Sequence, residues 1–298
     1  MDQNRGFGPC FSFELKIYHP YTNSMDSWLN EIWYGRLHRP YRLSKTYDSG
    51  NGPAVVLLHG IGRSGGVWRY VAARLENSQI RVVAYDLLGF GNSPKPLRIQ
   101  YTVDDHAQAV IAEIKRLRSN KPVVLVGHSM GCLVAVRVAA LRPDLVRHLV
   151  LYEMPLYEGL PDKRRYQTRI NLYFKLYDWI SKQQPDFDTV QRRLGERLAT
   201  KVVGSEITAD TWQPFIRSLQ NTIMKQSADT DLPLLRMPAD IIYGSRDMFV
   251  IRGQVMKTFG LDSKLVSLHT IRAKHVLSQN ASAFIVTRIS SALAREVT

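Results

Sequence analysis

The feature that most constrains the fold is an alternation of short β-branched runs with longer helical patterns, which begins near residue 54. This rhythm is typical of α/β proteins, in which helices cover both faces of a mostly parallel, twisted sheet. Apolar residues follow one another within each run, as expected for strands that are buried on both faces. The predicted strands span residues 54–58, 81–85, 123–126, 148–152, 240–243 and 265–270.

Helical periodicity occupies the intervals between these runs. The predicted helices span residues 67–76, 103–118, 130–141, 254–259 and 281–294. Thr102, followed three residues later by Asp105, has the pattern of a capping box at the start of the second helix. Residues 31–43 are predicted to add one or two antiparallel strands at the edge of the sheet.

The alternation of predicted strands and helices is interrupted between the run that ends at Tyr152 and the run that begins near Asp240. We interpret residues 155–235 as a helical cap inserted into a core made of residues 1–154 and 236–298. The stretch 156–183 is rich in aromatic side chains at helical spacing, which favours packing of the cap on the core over a ligand-lining role. Residues 1–24 fit no element well and are expected to form an irregular extension.

Composition excludes several classes of protein. A chain of 298 residues with 45% hydrophobic and 22% charged residues is an ordinary globular protein and is not intrinsically disordered. Its cysteines, Cys10 and Cys132, are too few for a disulfide framework or a four-ligand zinc site. The net charge of +14 is spread along the chain, and no run of five or more like charges occurs. This distribution argues against nucleic acid as a partner.

Targeting and membrane signals are not visible in the sequence. The N-terminus lacks a basic stretch followed by an apolar run of about 7 to 15 residues, and no window reaches about 18 uninterrupted apolar residues. We therefore expect a cytoplasmic protein without stable membrane insertion.

The strongest functional signal is the pentapeptide GHSMG at residues 127–131. It directly follows a predicted strand and directly precedes a predicted helix, which is the context of a nucleophile elbow. In such an elbow the serine, here Ser129, projects from a sharp turn, and the flanking glycines avoid collisions with the backbone. The alternative is a structural turn in which Ser129 only caps the helix.

A serine nucleophile needs a base, and the base needs an orienting carboxylate. Asp247 follows the predicted strand 240–243, and His275 follows the predicted strand 265–270. Because the carboxyl ends of parallel strands share one edge of the sheet, we expect Ser129, Asp247 and His275 to converge there. Glu153, at the end of the strand before the insertion, is the alternative carboxylate. The remaining histidines of the core are expected to be structural.

The stretch His59-Gly60-Ile61-Gly62 follows the first buried strand. Its position predicts that the backbone N–H of Ile61 and that of Met130 form an oxyanion hole. We expect His59 to support this loop through hydrogen bonds.

The same loop is also compatible with a second interpretation, a dinucleotide-binding site. Residues 60–65 match G-x-G-x-x-G, and Asp86 ends the next strand, as in a dinucleotide-binding fingerprint. A nicotinamide-dependent oxidoreductase would place Asp86 on a ribose hydroxyl. That alternative leaves Ser129, Asp247 and His275 without a role, so a hydrolase is favoured.

Together these motifs resemble the α/β-hydrolase superfamily, in its capped branch of esterases, lipases and carbon–carbon bond hydrolases. The resemblance rests on HGIG (59–62), YDLLGFGNS (85–93), GHSMG (127–131), GSRD (244–247) and His275, all in family order. It implies an α/β-hydrolase fold, a structural role for Asp86 and a helical cap at about 155–235. Ser129 argues against epoxide hydrolases and haloalkane dehalogenases, which resemble this chain but have aspartate as the nucleophile. Lys274 stands where a glycine often precedes the family's histidine.

The resulting prediction is a serine hydrolase that cleaves the carboxylic ester of a lipophilic or aromatic substrate through an acyl-enzyme. Carbon–carbon bond hydrolysis, with Arg165 or Arg169 holding a substrate carboxylate, remains an alternative, as do lactone and thioester chemistry. A binding protein without catalysis is a further alternative. We expect no metal or organic cofactor, a small-molecule ester or related acyl compound as partner, and no nucleic acid. A homodimer is compatible with the sequence.

Overall fold

The structure is a computed structural model that describes residues 40–76, 79–156, 175, 208–247 and 264–294. Within these residues, one sheet of seven strands has the order β1-β3-β2-β4-β5-β6-β7. Its strands are β1 (Lys45–Ser49), β2 (Ala54–Leu58), β3 (Arg81–Tyr85), β4 (Val123–His128), β5 (Val146–Tyr152), β6 (Ala239–Gly244) and β7 (Val266–Ile271). β1 pairs antiparallel with β3, and all other neighbouring strands are parallel. The predicted α/β class and the six predicted strands are confirmed, with ends that differ by two residues at most.

The described helices are α1 (Arg69–Leu75), α2 (Val103–Arg116), α3 (Met130–Leu141), α4 (Ala209–Ser218), α5 (Ala228–Asp231) and α6 (Gln279–Ala294). A 3-10 turn at Gly65–Trp68 leads into α1, and a π-helical segment at Leu219–Met224 continues α4. The predicted capping box is present: Asp105 N–H donates to Thr102 Oγ1 at 3.1 Å, and Thr102 N–H donates to the Asp105 carboxylate at 2.8 Å. The helix predicted at 254–259 lies outside the described residues.

The sheet separates two hydrophobic clusters, because successive residues of its strands face opposite sides. In β2, Val56 and Leu58 face the larger cluster, to which α2 and α3 contribute. Val55 and Leu57 face the smaller cluster, which α1 and α6 cover. Every residue of β2 is buried, which explains why its sequence is an uninterrupted apolar run.

The antiparallel edge strand lies later in the sequence than predicted. Residues 40–43 are not in a strand, residues 31–39 lie outside the described part, and the edge strand is Lys45–Ser49. The sequence KTYDS is mostly exposed, so it carries no hydrophobic pattern that could identify it.

Only part of the predicted insertion can be placed. Residues 157–174 and 176–207 lie outside the described residues, so the extent of a cap remains a prediction. The segment 208–235 is described, and it packs on the larger cluster of the core through Phe215, Leu219, Ile223 and Leu232. Within the described residues, no helix combines the length and the apolar character needed to cross a membrane.

Candidate active site

Ser129 lies on a sharp turn between β4 and α3. Its backbone has φ 54° and ψ −121°, a conformation that non-glycine residues rarely adopt. A Cβ at Gly127 would lie 2.6 Å from the carbonyl oxygen of Gly131, and a Cβ at Gly131 would lie 2.4 Å from that of Leu58. Glycine is therefore required two residues before and two residues after Ser129, because the turn brings α3 against the ends of β4 and β2. The strand, turn and helix predicted for an elbow are all present.

The structure brings the three predicted side chains into one hydrogen-bonded chain. His275 Nδ1 lies 2.7 Å from Asp247 Oδ2, and His275 Nε2 lies 3.0 Å from Ser129 Oγ. Since a carboxylate only accepts, Nδ1 carries the proton and the bare Nε2 can accept from the serine hydroxyl. The Asp247 side chain is fully buried and the His275 side chain is 12% exposed. The hydrogen bond that orients the imidazole therefore comes from a carboxylate shielded from solvent.

The two acidic candidates occupy different positions. Asp247 is the carboxylate bonded to the imidazole, as predicted. Glu153 is also buried, and its Oε1 accepts from the backbone N–H of Gly244 at 2.6 Å. The distances therefore favour Asp247 over Glu153 as the direct partner of His275.

The loop after β2 packs against the nucleophile. A Cβ at Gly60 would lie 3.1 Å from the Cβ of Ser129. His59 supports the loop, as predicted: its Nδ1–H donates to the carbonyl oxygen of Gly60 at 2.7 Å, and Leu87 N–H donates to its Nε2 at 2.7 Å. Burial lowers the pKa of His59, which keeps the ring neutral for this pair of bonds. The oxyanion role of Ile61 and Met130 stays a prediction.

The carboxylate oxygens of Asp86 accept hydrogen bonds from other residues of the protein. Its Oδ1 accepts from Thr46 Oγ1 at 2.8 Å and from Gly65 N–H at 2.7 Å, and its Oδ2 accepts from Asn92 N–H at 2.8 Å. The space beside Gly65 is filled by Thr46, whose Oγ1 would lie 2.5 Å from an added Cβ. These contacts favour a structural role for Asp86 and oppose the dinucleotide-binding alternative.

Two side chains that the sequence analysis did not single out hold the loop of His275. His128 Nε2–H donates to the carbonyl oxygen of His275 at 2.8 Å, and Tyr152 Oη–H donates to that of Lys274 at 2.7 Å. Burial, with the charge of His275 as the next cause, lowers the pKa of His128 to about 3. His128 therefore stays neutral beside the imidazole of His275, whose ring centre lies 5.3 Å from its own.

Within the described ranges, one group of side chains has the ligand types and spacing of a metal site. It consists of Glu153, Asp247 and His275, whose ligand atoms lie within 4.8 Å of one another. The hydrogen bonds of these groups to Gly244, Ser129 and each other account for the cluster without an ion.

Comparison with known proteins identifies the family. Residues 53–260 match the family described as "alpha/beta hydrolase fold". The chain belongs to this family. The α/β-hydrolase fold is shared with a thermophilic esterase from Thermogutta terrifontis, with a TM-score of 0.61 and 20% identity over 84% of this chain and 92% of that one. It is also shared with the enol-lactonase from Burkholderia xenovorans LB400, with a TM-score of 0.60 and 20% identity over 85% and 96% of the two chains.

Relatives with higher sequence identity match a shorter stretch. This α/β hydrolase is 41% identical to Lipase LipV of Mycobacterium tuberculosis over 104 residues, which are 35% of this chain and 38% of the relative. It is 29% identical to "Probable lysophospholipase BODYGUARD 4" of Arabidopsis thaliana over 138 residues, which are 46% of this chain and 32% of the relative. The chain thus spans about a third of the length of these relatives.

Proposed function

We propose that the protein is a serine hydrolase that cleaves a carboxylic ester, with Ser129 as nucleophile, His275 as base and Asp247 as orienting carboxylate. The observation that carries this proposal is the continuous chain of hydrogen bonds from Ser129 Oγ through both ring nitrogens of His275 to Asp247. Such a chain activates a hydroxyl that is otherwise a weak nucleophile.

The first half-reaction forms an acyl-enzyme. Ser129 Oγ attacks the substrate carbonyl carbon while its proton moves to His275 Nε2, and Asp247 stabilises the resulting imidazolium. When the tetrahedral intermediate collapses, the imidazolium returns this proton to the leaving alcohol. We assign the oxyanion to the backbone N–H groups of Ile61 and Met130, a contribution commonly worth about 3 kcal/mol per donor.

The second half-reaction releases the acid. Water takes the place of the alcohol, gives its proton to His275 and attacks the acyl carbonyl, after which Ser129 Oγ recovers the proton. No step needs a redox or metal partner, because only protons and an acyl group move.

We propose a lipophilic or aromatic acyl group as the substrate portion. A lipase and a probable lysophospholipase among the relatives support this choice. The site lies against an apolar core, in which Met130 is fully buried and Ile61 is 5% exposed. We further propose that residues 155–235 form a cap over the site.

The test is hydrolysis of p-nitrophenyl esters of increasing acyl length by the unmodified protein and by Ser129→Ala. Ser282→Ala is a matched control, since Ser282 is also buried but lies in α6. We expect turnover that Ser129→Ala abolishes and Ser282→Ala retains, with an optimum chain length that measures the acyl pocket. Turnover that survives Ser129→Ala would contradict the proposal. Labelling by a fluorophosphonate without ester turnover would move the reaction to the lactone, thioester or carbon–carbon bond alternatives.

A further inference from the structure

A second buried carboxylate lies beside the imidazole that the proposed mechanism uses. Glu153 is fully buried, and a carboxylate oxygen of this residue lies within 4.8 Å of both an oxygen of Asp247 and a ring nitrogen of His275. A buried charge acts strongly on its neighbours, because the surrounding protein screens it poorly. The charge of Glu153 also acts on Cys132. Burial is the main cause that raises the pKa of the Cys132 thiol, and the charge of Glu153 is the next.

The backbone at Glu153 is held in an unfavourable conformation. Its φ is 55°, which L-residues with a full side chain rarely adopt, and its N–H donates to the carbonyl oxygen of Ile242 at 2.9 Å. Ser129 has nearly the same φ, 54°. The two residues directly follow His128 and Tyr152, which are paired in the register of β4 and β5. Ser129 and Glu153 thus present the proposed nucleophile and a carboxylate at the ends of adjacent strands. Backbone strain of this kind is concentrated at functional sites.

We propose that Glu153 is a positioning residue of the site, which shares with Asp247 the stabilisation of the His275 imidazolium. This inference rests on the proposed serine hydrolase function and adds a second carboxylate to it. Before the reaction, the two acidic side chains face a neutral imidazole and repel one another. Once His275 has taken the proton of Ser129, a cation lies beside both of them. The cluster therefore suits the state after proton transfer better than the resting state, which is the condition for catalysis by charge stabilisation.

Other groups near the imidazole do not supply this negative charge. Burial lowers the pKa of His128 to about 3, and it raises the pKa of Tyr152 far above its usual range, so both rings stay neutral. Burial does the same to the Cys132 thiol. The charge of Arg63 reaches His128 and is of the opposite sign. Asp247 and Glu153 are thus the acidic side chains beside His275 in the described part of the chain, and the basic residue Lys274 directly precedes it.

The decisive variant is Glu153→Gln. An amide oxygen can still accept from the N–H of Gly244, so the variant keeps the shape and this hydrogen bond while it removes the charge. Glu153→Asp keeps the charge and shortens the reach, so it serves as the conservative rescue. Glu113→Gln is the matched control, because Glu113 is also a buried glutamate that accepts a backbone bond, from Leu43, but it lies in α2.

The readouts are the pH profile of kcat/KM on a p-nitrophenyl ester and an NMR titration of the His275 ring. In Glu153→Gln we expect the acidic limb and the NMR midpoint to move to lower pH by about one unit, since loss of a nearby opposite charge disfavours the imidazolium. We expect kcat to fall about tenfold. Glu153→Asp should restore most of the shift, and Glu113→Gln should cause none.

A double-mutant cycle separates shared action from independent action. In Asp247→Asn, Glu153 is the remaining carboxylate, so adding Glu153→Gln should cost about tenfold more in kcat than it does in the unmodified protein. Equal costs in both backgrounds would overturn the shared role. An unchanged NMR midpoint in a folded Glu153→Gln protein would overturn the proposal whether or not the protein hydrolyses esters. A shifted midpoint in a protein without Ser129-dependent turnover would contradict only the proposed function.

Discussion

His128 Nε2–H donates to the backbone carbonyl oxygen of His275 at 2.8 Å, so the residue before the proposed nucleophile holds the residue proposed as base. Tyr152, stacked on His128 with ring centres 5.5 Å apart, holds the preceding carbonyl, that of Lys274, at 2.7 Å. Two buried side chains from the ends of β4 and β5 thus fix the loop that follows β7. These two hydrogen bonds hold the loop of His275 in a protein in which Lys274 occupies a position where a glycine often stands in the resembled family.

Removing the Tyr152 hydroxyl should loosen this loop. We expect Tyr152→Phe to lower kcat about tenfold with little change in KM, because a small misplacement of the base affects the reaction more than substrate binding. Loss of one buried hydrogen bond should also lower the free energy of unfolding by about 1 kcal/mol. Steady-state kinetics and urea unfolding measure both effects.

Tyr85→Phe is the control for that experiment. Tyr85 is a buried tyrosine whose hydroxyl has no hydrogen-bond partner among the described residues. Its replacement should leave kcat unchanged and stability unchanged or higher. A loss of kcat as large in Tyr85→Phe as in Tyr152→Phe would show that the Tyr152 hydroxyl has no specific role.

A side chain at Gly60 should disturb the loop after β2. An added Cβ would lie 3.1 Å from the Cβ of Ser129 and 3.4 Å from His128 Nδ1, so the loop or these neighbours must shift by a few tenths of an ångström. We expect Gly60→Ala to lower kcat by about 10²-fold, the effect of losing one oxyanion donor, while the protein remains folded. Activity equal to that of the unmodified protein would place the oxyanion donors elsewhere.

Much of this arrangement could be predicted from the sequence, for a physical reason. β2 and β3 are buried on both faces, so their sequences are apolar runs, and the elbow needs glycine on both sides of Ser129. Asp247 and His275 each follow a strand whose end lies at the same edge of the sheet. Each of these features depends on a short stretch of sequence, so it can be predicted from the sequence alone.

The remaining features depend on contacts between distant segments. His128 and His275 are 147 residues apart, and Tyr152 and Lys274 are 122 apart, so no sequence periodicity links them. The sequence predicts Glu153 only as an alternative to Asp247, because sequence position does not show that both carboxylates lie beside one imidazole. The prediction places the edge strand too early in the sequence, because the exposed residues of β1 carry no apolar pattern.

Stability should fall on the acidic side of neutrality because of buried histidines. Burial lowers the pKa of His106 from 6.5 to about 3. Between these two pH values, the imidazole is therefore protonated in the unfolded chain and neutral in the folded chain. Stability then falls as the pH falls below 6.5, by roughly 1.4 kcal/mol per pH unit for each such group until the folded pKa is reached. His106→Phe should reduce the slope of unfolding free energy against pH by about that amount. An unchanged slope between pH 6.5 and 5 would contradict this assignment.

A polar cluster remote from the proposed nucleophile should affect stability and not activity. The Asp240 carboxylate contacts His148 Nε2 at 2.8 Å and His269 Nε2 at 2.6 Å, and it ties β5, β6 and β7 together. Burial opposes ionisation of Asp240, but the bonds to both histidines outweigh it and leave the pKa of Asp240 lowered. Its contribution is therefore present above pH 3.8 and is lost as the pH falls through the folded pKa. Asp240→Asn should lower the unfolding free energy by roughly 3 kcal/mol at pH 7.

Kinetics on the same variant complete that test. We expect kcat/KM of the folded Asp240→Asn protein to match the unmodified protein, because Asp240 lies near the amino end of β6 and Ser129 at the carboxyl end of β4. A folded variant with much lower kcat/KM would show that the two ends of the sheet are coupled.

The central claim is that Ser129 is a nucleophile activated by His275. Intact-protein mass spectrometry after brief exposure to a fluorophosphonate tests it directly, with Ser129→Ala, His275→Ala and Ser282→Ala treated in parallel. We predict one adduct, mapped to Ser129, in the unmodified protein and in Ser282→Ala, no adduct in Ser129→Ala, and strongly slowed labelling in His275→Ala. An adduct that persists in Ser129→Ala, or no adduct in the unmodified protein, would contradict the claim.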